Sequence, residues 1–379
     1  VKLFCVSQYT YFDFDDQKAD TVFLMIKRPY MIAHHIHRGM EGILSPKSTG
    51  KLIAETSKDV KINANKIKEV ATMMYECVKK DTYSIKSWKE HELNPKSMDK
   101  DAVDWIFLAD TLNFSFWSMD EDKKYVVNYG GKQHSGYWSL CAAINRALDE
   151  GIPVTNPNFY ANVSKEQFAQ IMRSDSECDM PLMEERLQIL HESGKILLQK
   201  YDGSFTNCIE KCDRSAQNLL KLVVTDFPSY EDMAEYNYRK VAFYKRAQIL
   251  VADIWSCFEG QGYGEFHDIH TITMFADYRI PQALVHFKIL EYSKELMEFL
   301  KKNNLMKFGD RYELEIRGCS IWATELIKNE TRKLLDSDPA TKDALMNSIL
   351  IDHFLWDYRL DHAEEMKDIP FHKIRCIYY

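Results

Sequence analysis

A carboxylate in an apolar run is the first feature to explain. In "ITMFADYRIPQALVHF" (272–287) Asp277 sits where the surrounding pattern reads as core, and a carboxylate seldom enters a core without a partner or a task. Pro281 is well placed to open a helix, so Asp277 lies just before a helix N-terminus, where the helix dipole favours negative charge. A structural acid paired with Arg279 and a reacting acid both fit that position. In "RKVAFYKRAQILVADIWSCFEGQGYG", Phe243, Ala247, Leu250, Val251, Ile254 and Trp255 form one helical stripe with Lys245 at its edge. Gly260, Gly262 and Gly264 then read as a helix end and loop, because no strand precedes them as a nucleotide-binding turn requires. "GEFHDIHTI" puts His267, Asp268 and His270 in a short span, the residue types of a metal-dependent phosphohydrolase, yet without a helical ligand spacing or a second cluster. In "LADTLNFSFWSMD", Asp110 and Asn113 precede Phe114, Phe116 and Trp117, a set suited to a planar, cationic or hydrogen-bonding ligand as well as to plain core packing. Tyr137 and Trp138 lead into another helix, and the last residues are rich in Arg, His and Tyr.

These residues need a scaffold. The chain has 379 residues, 45% hydrophobic and 28% charged, with aromatics at 13%, enough to bury a large core and still line a pocket. The net charge of −8 disfavours a large nucleic-acid surface, although a single nucleotide remains a possible ligand. Nine scattered cysteines without a CxxC fit reduced thiols in a cytoplasmic protein better than a structural zinc site. No apolar run reaches the roughly 18 residues of a membrane span, and the aspartates in "VKLFCVSQYTYFDFDDQ" interrupt any signal-peptide pattern.

Helical spacing dominates from Gly42 onward. "SPKSTGKLIAETS", "NANKIKEVATMMYECVKK", "DKDAVDWIFLADTL" and "MPLMEERLQILHESGKILLQKY" all read as helices. "NVSKEQFAQIMRS" opens on a Ser164–Gln167 capping box. "PQALVHFKILEYSKELMEFLKK" reads as a single helix. "KYVVNYGGKQHSGYW" is a hairpin turning on Gly130-Gly131. The expectation is one mainly α unit with a small β-hairpin, with two lobes around a cleft as an option. Residues 1–39, which hold His34, His35 and His37, read as a poorly ordered extension, with Met40 as the ordinary start of a domain over 40–379.

Six blocks, "LADTLNFSFWS", "SGYWSLCAAINRALDEGIP", "FYKRAQILVADIW", "ITMFADYRIPQ", "EIRGCSIW" and "IRCIYY", resemble the queuosine salvage family in its animal form. The likeness runs from about Gly42 to Tyr379. It implies a compact, mainly α fold like that of helical DNA glycosylases. It also implies hydrolysis of the N-glycosidic bond of queuosine 5′-monophosphate, giving queuine for tRNA modification and ribose 5-phosphate. By position, Lys245 and Asp277 match the lysine and aspartate that do the central work in helical glycosylases. The resemblance further implies no metal or other cofactor and a small-molecule substrate; the expectations beside it are no polymeric nucleic acid, no membrane, and a monomer. On this basis Asp110, with Phe116 and Trp117, would receive the base and its cationic side chain, and Asn113 would read an edge of the base or a hydroxyl of its cyclopentenediol. Phe114, Tyr137, Trp138, Phe275 and Tyr278 would wall the pocket, and Arg279, His372 and Arg375 would meet the phosphate. The alternatives are a non-catalytic nucleotide-binding protein, or a phosphohydrolase built on His267, Asp268 and His270.

Overall fold

The computed structural model describes residues 42–120 and 122–379; the expectations for residues 1–39 lie outside the described residues. Residues 42–379 form one compact unit rather than two lobes. Fifteen α-helices are present among the described residues, and every sheet is a pair of short strands. The mainly α expectation therefore holds. No described helix is long and apolar enough to cross a membrane.

One half of the unit is organised by the 27-residue helix Arg311–Ser337. Helices Pro46–Thr56 and Ala64–Lys79 pack along it. Two glycines set the closeness of the first contact: a Cβ at Gly318 would lie 2.5 Å from Ile53 Cδ1, and one at Gly50 would lie 2.7 Å from Ile321 Cγ2. The other half is built around Lys245–Cys257, a helix buried on nearly every side that packs against Lys100–Thr111 and Ala216–Asp226. Burial all round explains why its sequence is apolar beyond a single stripe.

The expected caps and hairpin form. Ser164 and Gln167 close a reciprocal capping box. Val126–Tyr129 pairs with Lys132–Ser135 across Gly130 and Gly131, both at positive φ. A second hairpin, Met233–Tyr236 with Arg239–Ala242, turns on Asn237 and Tyr238 at φ 49° and 61°. It carries no glycine signal and was not legible.

The segment read as one helix after Pro281 is three elements. Helix Ile280–His286 stops, Lys288 takes φ 57°, strand Leu290–Tyr292 pairs with Val60–Ile62, and Ser293 caps helix Lys294–Lys301. Strand pairing that buries Ile289 and Leu290 overrides the helical spacing.

Candidate active site

Lys245 is placed by a sharp change of direction. Strand Arg239–Ala242 ends, Tyr244 takes φ 49°, and the next residue starts the helix. Asp232 fixes that start by accepting the Lys245 N–H at 3.0 Å. The Lys245 side chain is 6% exposed. Its Nζ donates to both the backbone oxygen and Oδ1 of Asn113, each at 3.3 Å. Asn113 in turn donates through Nδ2 to Asp110 Oδ1 at 3.2 Å. Burial pulls the Lys245 ammonium below its ordinary pKa, while the charges of Asp277 and Asp110 oppose that pull.

Asp277 arrives from the other direction. The chain leading to it, residues 272–276, is neither helix nor strand, and Oδ1 accepts the N–H groups of Arg279 at 2.9 Å and Ile280 at 2.8 Å. The acid therefore does cap the turn into helix Ile280–His286. It is held by the backbone of Arg279, whose guanidinium donates to Gln282 Oε1 at 3.1 Å and lies 4.1 Å over the Phe371 ring. Burial pushes the Asp277 carboxyl above its ordinary value; Lys245 and the two amide donors work against that.

A buried ion network joins these two arrivals. Arg317 donates to Ala276 O at 2.9 Å, one residue before Asp277. The same guanidinium pairs with Asp232 at 2.6 and 3.1 Å and with Glu313 at 3.0 Å. Glu313 also accepts the Tyr379 hydroxyl at 2.9 Å. Arg317, Asp232 and Glu313 are all essentially inaccessible. One guanidinium thus ties the segment bearing Asp277 to the residue that starts the Lys245 helix.

Lys245 and Asp277 both line a cavity of about 1340 Å³. Asn113, Phe114, Phe116, Trp117, Tyr137, Trp138, Phe275, Tyr278 and Arg279, all named as candidates from the sequence, lie on its wall. Three expected residues do not. Asp110 is fully buried behind Asn113; burial pushes its carboxyl up to about 7, and its Oδ2 has no hydrogen-bond partner. His372 is 1% exposed with both ring nitrogens unpartnered, and burial pushes it down to about 3. Neither reaches the cavity. Arg375 lies 3.5 Å over the Trp117 ring, donates to Ser115 Oγ at 3.1 Å, and faces a neighbouring hollow.

The metal alternative also loses its geometry. Asp268 accepts from Ser215 Oγ and from the N–H groups of Ala216 and Gln217, so it caps helix Ala216–Asp226. His267 and His270 are exposed. Among the described residues no group of three potential ligands converges.

Comparison with known proteins gives the family. The family profile described as "Queuosine salvage protein" matches residues 93–379. A Bos taurus protein named queuosine 5′-phosphate N-glycosylase/hydrolase is 52% identical over 341 residues, spanning 90% of this chain and 100% of its own length. The chain belongs to the queuosine salvage family. Proteins with the same name from Schizosaccharomyces pombe and Sphaerobacter thermophilus are 43% and 36% identical over 350 and 279 residues. They cover 87% and 73% of this chain, and 98% and 81% of their own lengths.

This member of the queuosine salvage family holds its Asn113 loop with two buried arginines. Arg186 donates to the carbonyls of Leu112 and Phe114 and to Pro181 O at 2.8 Å. Arg246 donates to Thr111 O at 2.6 Å and to Ser229 O. The Phe114 ring lies 4.2 Å from one guanidinium and 5.2 Å from the other. Burial pulls Arg186 down to about 9, and the carbonyl dipoles are what keep these charges tolerable.

Sequence reasoning missed several cavity residues: Asp253, Asp352, Lys373, Trp88, His91 and Trp356. Asp253 carried a usable signal, standing two helical repeats of four after Lys245 and so near the same face. Asp352 interrupts the apolar run "SILIDHFLW" much as Asp277 interrupts its own. Trp88 and His91 lie in a segment without periodicity, and nothing local marks them.

Proposed function

We infer that this chain hydrolyses the N-glycosidic bond of queuosine 5′-monophosphate, releasing queuine for reuse in tRNA modification and ribose 5-phosphate. The observation that carries the reading is the Asp277 carboxylate beside a buried lysine on the wall of an aromatic cavity, in a chain so similar to proteins named for that reaction.

Breaking the bond from ribose to nitrogen develops positive charge on C1′ and the ring oxygen. Asp277, ionised, stabilises that charge and orients the attacking water. Its two backbone donors both bind Oδ1, which fixes the carboxylate in one orientation before substrate arrives. Queuine is a 7-deazaguanine, with carbon where guanine has N7, so the base cannot be helped to leave by protonation there. The sugar cation then needs more stabilisation, which suits a preorganised anion. Lys245 keeps Asp277 ionised despite its burial, and Asn113 orients Lys245.

Arg279 and Lys373 lie over the same Phe371 ring, at 4.1 and 5.3 Å, and both line the cavity near Asp277. They are the phosphate-binding candidates in place of His372 and Arg375. The eight cysteines among the described residues are free thiols, which supports the cytoplasm as the working compartment.

The test is chromatography of queuosine 5′-monophosphate incubated with wild type and with Asp277→Asn, chelator present. Queuine from the wild type alone is expected. Equal release by both would return Asp277 to a capping role. Release of inorganic phosphate instead of base would revive the phosphohydrolase.

A further inference from the structure

Two buried acids face the cavity without a part in the chemistry above. Asp253 follows Lys245 by eight residues on one helix, about 12 Å further along its axis, and Ile249 lines the same wall between them. Asp253 is 3% exposed, and its hydrogen-bonding neighbour is Trp88. Asp352 is 4% exposed and accepts the Phe275 N–H at 3.0 Å. Burial pushes both carboxyls well above their ordinary values, and neighbouring acids push them further.

Asp110, Asp253, Asp277 and Asp352 all lie within the field of Lys245. Asp253 and Asp352 stand on the cavity wall, where a cationic guest would favour their ionised forms. The walls at this end suit such a guest. His91 stacks on Trp138 at 3.3 Å, and Trp356 meets Trp138 edge-on at 5.6 Å; both tryptophans and Trp88 line the cavity. Burial pushes His91 down to about 4, so it does not itself supply a positive charge at neutral pH. The Tyr137 hydroxyl, buried on the same wall within the field of Asp253, has the Cys141 thiol as its neighbour. A thiol is a weak partner, so a ligand's amine or hydroxyl would improve on it.

We propose that Asp253, backed by Asp352 and walled by Trp88, Trp138 and Trp356, is the receptor for a secondary ammonium carried by the base. This rests on the queuosine 5′-phosphate reading, because queuine bears such an amine one carbon out from its five-membered ring. Lys245 and Asp253 then mark two ends of one helical ruler, the first at the sugar bond and the second at the amine. Guanine nucleotides fill the same aromatic slot but bring no cation. They leave Asp253 buried and unpaired, so the site selects against them by what they lack.

The experiment is calorimetric binding of free queuine and of 7-deazaguanine, which has no side chain, to wild type and to Asp253→Asn. Wild type is expected to favour queuine by at least about tenfold, and Asp253→Asn to bring that ratio close to one. N-acylated queuine, whose amide is neutral, tests the same point on the unaltered protein and should bind wild type no better than 7-deazaguanine. A preference that survives Asp253→Asn or acylation overturns the receptor. Release of queuine from the nucleotide is scored separately with wild type. Hydrolysis without a queuine preference removes only the receptor, whereas a preference without hydrolysis removes only the glycosidase reading.

Discussion

Replacing Arg317 with Met should damage stability and catalysis together. The guanidinium makes one contact to Glu313, two to Asp232 and one to Ala276 O, all at 2.6–3.1 Å and all buried. Met fills similar space but leaves two carboxylates facing each other in the core. Removing one member of such a network costs about 3–5 kcal/mol. With an unfolding entropy of about 2.1 cal/mol/K per residue over the 338 residues from 42 to 379 (379 − 42 + 1), each kcal/mol moves Tm by about 1.4 °C. The expected fall is therefore about 4–7 °C by scanning calorimetry. Glu313→Gln added to Arg317→Met should recover part of it, since one unpaired charge is removed. In the single variant, assayed well below its Tm, kcat/KM should drop by up to about 100-fold, because Ala276 and the Lys245 helix start lose their common tie. A Tm within about 1 °C of wild type would refute the energetic argument. A lowered Tm with unchanged kcat/KM would refute the positional one.

Other outcomes follow from the same geometry. Burial raises the Asp277 carboxyl above its ordinary value, and the ionised form does the work. Activity is therefore present above that raised pKa and lost as pH falls through it, giving an acid limb in kcat above the ordinary aspartate range; a limb at the ordinary value would contradict this. Lys245→Met removes a charge that favours ionised Asp277, so its acid limb should move to higher pH, with activity returning as pH rises; loss at every pH would assign Lys245 a direct bond-making role. Arg279→Ala and Lys373→Ala should each raise KM for the 5′-phosphate substrate by about tenfold or more while leaving cleavage of the unphosphorylated nucleoside alone. Incubation with a chelator should leave base release unchanged, and a loss restored by added metal would reopen the role of His267 and Asp268.

What the sequence revealed depended on whether a residue broke a local pattern. Asp277 was visible because it interrupts an apolar run, and Lys245 because it marks the edge of a helical stripe. The helices were legible wherever the spacing was regular and a cap stood at the start, as at Ser164 and Gln167. Long-range pairing was not legible. The strand Leu290–Tyr292 exists because Val60–Ile62 lies beside it, and no residue near Leu290 announces that partner. The same limit hid Arg317, which reads as one more charge on a long helix but contacts Asp232 across 85 residues. Asp110 misled for the opposite reason: beside Asn113 in sequence, it points behind that residue into the core instead of into the cavity. His372 and Arg375 were grouped by composition, and the fold sets them against different rings, His372 against Tyr379 and Arg375 over Trp117.

The arginine clamp over residues 111–114 has a consequence for how this stretch tolerates change. Arg186 and Arg246 grip the carbonyls of Thr111, Leu112 and Phe114, and every amino acid supplies a carbonyl. For those contacts the identity of the gripped residue matters little, while the number of residues between Lys100–Thr111 and Phe116 matters a great deal. One inserted or deleted residue would put the wrong oxygens under both guanidiniums and turn Asn113 away from Lys245. What is stored there is a measured length of backbone, and a library of substitutions and single-residue indels across 111–116 would separate the two kinds of constraint.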